Sequence, residues 1–276
     1  MFDVVNLHLA LRGIHIAAGA LGLVAFWAAV CTKKGASAHI GWGRVFLYCA
    51  YPVGVTAVLS AAWAEVDPFG FGKSLGLSED DIRRLSPERA WLFRVLGLAG
   101  VSLLAYVQVG VYAVRTKAKP SGGNGLLLLT IGVLGLAGAG VAAMGISGLL
   151  ASGLEIQNVM PSFLGLVAVP LAFTMLRFVR RSRPAHMDWW YKHMECMLVS
   201  GIIFHTALAI TVSNRLLQQG LLSGPAALIP WVLPTVIGVP VTFVWILRHK
   251  MRFGSSGQKQ FAPIHSPNSQ EDAPRN

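Results

Sequence analysis

The chain has 276 residues, of which 54% are apolar and 13% charged, and its mean hydropathy is +0.58. Those proportions exclude an ordinary water-soluble domain and point to a membrane protein. A formal charge of +11 would suit nucleic acid in a soluble chain, but these basic residues sit at the ends of apolar runs, where they meet anionic lipid, so no nucleic-acid partner is expected.

Apolar runs long enough to cross ~30 Å of hydrocarbon are expected near residues 9–31, 43–65, 91–115, 126–150, 162–180, 189–212 and 228–248. This is an all-α polytopic protein of about seven spans. The first run is too long for a signal peptide and is followed, not preceded, by Lys33 and Lys34, so it reads as a retained helix. His8, Arg12, His15, Gly19 and Gly22 recur along it every three or four residues and share one face. Arg12 and His15 are costly against lipid, so that face should look into the bundle, with His8 at the outer interface.

The connection TKKGASAHIGWGR (32–44) places His39 in a loop, with Gly35, Gly41 and Gly43 permitting a tight return. Its Lys33, Lys34 and Arg44 serve as topological anchors or as contacts to propionates or lipid phosphates. In the loop from about 66 to 90, SEDDIRRL predicts a short surface helix capped by Ser78, and Ser86-Pro87-Glu88 the start of the third span. KAKPSGGNG (117–125) reads as a flexible connection. In the fourth span Gly132, Gly135, Gly138, Gly145 and Ser147 suit close helix packing, and Pro170 should kink the fifth, structurally or to line a cavity. Pro230, Pro234 and Pro240 interrupt the seventh. Residues 1–252 form one transmembrane domain and 253–276 a polar, disordered cytoplasmic tail.

Lys and Arg cluster after spans one, three, five and seven, while the 151–160 connection has none. The positive-inside rule then puts the start outside and the tail in the cytoplasm, as a multi-pass protein of the cell inner membrane contacting anionic lipid at its inner leaflet. Cys31, Cys49 and Cys196 fall on the inner side, so no exported disulfide framework is implied. The halves show no internal repeat, which removes support for a duplicated transporter.

The sixth span, AHMDWWYKHMECMLVSGIIFHTALAI (185–210), carries His186, His193 and His205. With spans one and six running in opposite directions, His15 and His205 should share the outer half, and His39, His186 and His193 the inner. Two layers of imidazole fit axial ligation of b-type haem, with Gly19 and Gly22 beside the flat macrocycle. The outer pair is His15 with His205 and the weaker inner pair His39 with His193, with Arg12, Lys34 and Arg44 as neighbouring contacts. Against this, His193 and His205 point about 120° apart around one helix.

A second chemistry is a single metal held by His39, His186, His193, Glu195, Cys49 or Cys196. Glu195 and Glu65 are candidate proton or cation relays. Ser200 has no acid placed to complete a triad, and catalytic residues are unassigned. Three functions follow: haem-b-linked transmembrane electron transfer, a non-enzymatic transporter or sensor using the same His and Arg residues for protons or anions, and a scaffold whose histidines are satisfied by nearby carbonyls.

The blocks HIAAGALGLVAFWAAVCTKKGASAHIGWGRVF and HMDWWYKHMECMLVSGIIFHTAL resemble the bacterial predicted-membrane-protein family catalogued as domain of unknown function 2306. The resemblance covers about 80 residues and implies a multi-pass bacterial membrane protein without an assigned activity. It draws attention to His15, Gly19, Lys34, Gly35, His39, Gly43, Arg44, His186, Trp190, His193 and His205.

Overall fold

The computed structural model describes residues 4–117, 122–181, 187–220 and 229–259, with backbone alone at 4–5, 84–89, 214–215, 217–218 and 252–259. The described residues form eight helices and no strand: α1 (Val4–Cys31), α2 (Ser37–Val66), α3 (Pro68–Ser74), α4 (Glu79–Thr116), α5 (Gly125–Ser152), α6 (Ile156–Val179), α7 (Asp188–Gln218) and α8 (Ile229–Lys259). All but α3 are long and apolar enough to cross a membrane. Helices are the form in which a lone segment satisfies all its backbone groups in hydrocarbon.

The central element is α4. It packs against α2 on one side, α7 on another and the α5–α6 hairpin on a third, while α1 lies on α2 and α8 on α7. Within their apolar stretches 61% of α4 is buried but only 6% of α8, so α8 presents its side chains to lipid. One core cluster joins α4 to α5, α6 and α7 through residues such as Tyr106, Leu134, Met175 and Cys196. The other joins α1, α2, α4 and α7 through Phe26, Phe46, Leu103 and Phe204.

Several boundaries differ from the sequence reading. His39 lies in the first turn of α2, and of the three turn glycines only Gly35 has a left-handed backbone, φ 81°; Gly41 and Gly43 are helical. The surface helix and third span are one element, α4, which starts where Ser78 accepts a hydrogen bond from the Asp81 amide at 3.2 Å and runs unbroken past Pro87. Helix α3 lies in a stretch read as loop: Asp67 caps it by accepting from the Gly70 amide at 2.8 Å, and Pro68 fits the first turn because it has no N–H to satisfy there. The last span is continuous through Pro234 and Pro240. It extends to Lys259, so residues 253–259 are helical, and the rest of the expected tail lies outside the described residues. Pro170 is exposed on a continuous α6.

Where α3 meets α4, the Lys73 ammonium stands 3.0 Å from Glu79. That hydrogen bond and charge hold the Glu79 carboxyl below its ordinary value. A depressed carboxyl stabilises above its unfolded value and loses that contribution as pH falls through the lower, folded one. Both groups are exposed, so the effect on stability is small and screened by salt. An NMR titration of Glu79 in micelles should show a depressed midpoint that rises towards about 4.3 in Lys73→Gln.

Candidate functional site

The histidines stand between helices, and each described one has a fixed Nδ1 partner. On α1, His15 donates from Nδ1 to Thr56 Oγ1 of α2 at 2.7 Å. The Thr56 hydroxyl proton is committed to the Pro52 carbonyl at 2.6 Å, so its oxygen is the acceptor. His8 is buried and works the same way, donating to Ser74 Oγ of α3 at 2.7 Å while Ser74 donates to Phe71. The edges of Trp63 and Phe71 close around its ring. His8 therefore docks α3 and is not simply an interfacial residue.

At the other end of α1, two sequence candidates cap the helix. Lys34 donates to the carbonyls of Val30 at 2.6 Å and Ala29 at 3.1 Å, and His39 donates from Nδ1 to the same Ala29 carbonyl at 3.0 Å. These carbonyls have no intrahelical partner, which explains the need. Burial pulls the Lys34 ammonium below the usual lysine value. Arg44 is exposed on α2, and Arg12 is exposed on α1 although it shares a face with His8 and His15.

On α7, His193 donates from Nδ1 to the Gly110 carbonyl of α4 at 3.0 Å. His205 is held at both nitrogens. Its Nδ1–H donates to the Gly201 carbonyl one turn back at 2.7 Å, and its Nε2 accepts the indole N–H of Trp27 from α1 at 3.0 Å. Indole nitrogen only donates, so this ring must be the neutral Nδ1–H tautomer. Phe26 and Trp27 wall it edge-on.

His15 and His205 do not form the expected outer pair. The positions of Gly22 against Phe204 and of Gly201 against Phe26 set the register of α1 on α7, and they place His205 level with about residue 22 of α1. That is seven residues, or ~10 Å along the axis, from His15. His15 faces Thr56 on α2, and Nε2 of His205 is filled by Trp27. Gly22 is pressed against Phe204, whose ring a Cβ there would meet at 2.5 Å, whereas nothing lies within 4 Å beside Gly19.

In the expected inner pair, neither His39 nor His193 has a hydrogen bond at Nε2 among the described residues. No group of three or more His, Cys, Asp or Glu side chains able to hold a metal occurs among the described residues, which leaves the bare-metal set without its geometry; His186 lies outside them. The carboxylates are engaged: Glu65 accepts a bidentate pair from Arg94 at 2.6 and 3.0 Å, and Glu195 accepts from Lys192 at 2.8 Å. Ser200 donates to its own backbone at Cys196, 2.8 Å away. Trp27, Thr56 and Gly110 escape sequence reasoning because nothing local fixes how neighbouring helices slide past one another; Arg94 is legible as a cation at the start of a span. Compared with protein-family models, curated proteins and solved structures, the chain gives no match.

Proposed function

We propose that this chain is a multi-pass protein of the bacterial inner membrane, its basic end in the cytoplasm against anionic lipid, that responds to protons through interhelical histidines as a non-enzymatic sensor or transporter. The observation that carries this is the fully occupied His205 ring. Adding a proton at Nε2 sets an imidazolium N–H against the Trp27 indole N–H, two donors face to face, and the bond joining α1 to α7 is lost. Apart from that bond, α1 meets α7 through a small patch around Gly22 and Phe26, so the change falls on a weakly secured helix pair. Membership in the resembled family is proposed on the same residues, since His15, His39, His193 and His205 all lie in its two blocks.

Spin labels at Val24 on α1 and Leu208 on α7, both exposed, test this in a Cys31→Ser background. The distance between them should shift reversibly when the sample is acidified and should stay fixed in His205→Gln. A wild-type distance that ignores pH would overturn the reading.

One observation favours a second reading. His39 and His193 each anchor Nδ1 on a backbone carbonyl, the orientation that ligating histidines adopt, which suits haem b at the inner pair, where it would supply electron transfer. A Soret band in purified protein that disappears in both His39→Ala and His193→Ala would support it; a band insensitive to both would remove these residues as ligands.

A further inference from the structure

Away from the histidines, α8 carries a groove of about 400 Å³ lined by Pro240, Val241, Val244, Trp245 and Arg248. These residues lie on successive turns of one helical face, so the lining changes from apolar to indole to guanidinium as it approaches the basic end of the bundle. A second cation from another element stands near this lining without being part of it: the Lys34 ammonium, pinned by the Ala29 and Val30 carbonyls, is 5.8 Å from the centre of the Trp245 ring. Neither Lys34 nor Arg248 has a carboxylate partner among the described residues. Val241 and Val244 are exposed, on a helix whose packing is against α7.

Two cations without carboxylate partners flanking an indole, next to an apolar channel that faces hydrocarbon, match the shape and charge of one kind of molecule. We propose that this groove seats a single phospholipid of net negative charge, its phosphate between Lys34 and Arg248 and an acyl chain along Pro240, Val241 and Val244. Charge decides between occupants. A polybasic segment of this chain would be repelled, while an anionic headgroup gains from each cation near the membrane surface. The site is distinct from general attraction to the basic end because it requires the groove as well as the charge, and it stands whether or not the histidines respond to protons.

The test is native mass spectrometry of the full chain released from phosphatidylcholine nanodiscs with increasing phosphatidylglycerol. The wild type should retain one phosphatidylglycerol. Arg248→Gln and Lys34→Gln should each weaken retention roughly fivefold, the equivalent of about 1 kcal/mol per cation. Val244→Trp keeps the charges but fills the channel, and it should lose the lipid too. Arg177→Gln, which removes an exposed cation from α6, should leave retention unchanged. Equal losses in Arg177→Gln and Arg248→Gln, wild-type retention in Val244→Trp, displacement of the lipid by an equal concentration of glycerol 3-phosphate, or release as a lipid-free dimer would each overturn the proposal.

Discussion

Replacing Gly165 by alanine should destabilise the protein by about 3 kcal/mol, the upper part of the range for overpacking a filled interior, whereas Gly19→Ala should change stability by only a few tenths. A methyl group at Gly165 would lie 2.5 Å from the Gly138 carbonyl oxygen and 2.8 Å from the Ala142 Cα, and one at Gly145 would meet Ser162 Oγ at 2.5 Å and the Asn158 carbonyl at 2.8 Å. The obstacles are mostly main-chain atoms, which cannot rotate away as a side chain does. Relief requires α5 and α6 to separate, and lipid offers no hydrophobic penalty for the surface so exposed, so dispersion packing is what holds the pair. Nothing lies within 4 Å of a Cβ built on Gly19, and alanine is the better helix former. Reversible denaturation in mixed micelles would measure both; a Gly165→Ala midpoint equal to wild type would show that the hairpin is not held by this contact.

The same seam shows what the sequence makes legible. Hydropathy is a local property, so all seven spans can be read from it, but their ends overrun the apolar runs: α2 begins at Ser37 and α4 at Glu79, because polar residues outside hydrocarbon can still continue a helix. The small residues of α5 mark it as a packing helix, yet Gly138 and Gly145 touch α6 while Gly132 faces open space, a distinction that depends on which way the helix is turned. The histidine site behaves likewise. The periodicity of α1 correctly marks His8 and His15 as a shared face, since polar rings avoid lipid. Pairing His15 with His205 requires the sliding register of α1 on α7, which is fixed by Phe26 and Phe204 filling the gaps at Gly201 and Gly22, and no property of either helix alone contains it.

The Trp27–His205 bond should show a coupling that exists only while the ring is neutral. Trp27→Phe leaves Nε2 of the half-buried His205 without its donor, at a cost below the ~1–3 kcal/mol of a fully buried unsatisfied acceptor. His205→Leu removes both imidazole bonds. Combined in a double-mutant cycle with wild type, the two changes should give a coupling of about 0.6–1.5 kcal/mol, the span between membrane-embedded and soluble hydrogen bonds. The sign with pH follows from the donor count: a neutral ring accepts from the indole and an imidazolium cannot, so the coupling is present in mild base and lost in acid. Gln108 and Thr130 supply a control, joining α4 to α5 through an amide–hydroxyl bond of 3.1 Å that has nothing to titrate. Their cycle should be the same at both pH values. If the Trp27–His205 coupling survives acid as the Gln108–Thr130 coupling does, the ring does not take up a proton at Nε2, and the proton-response reading falls with it.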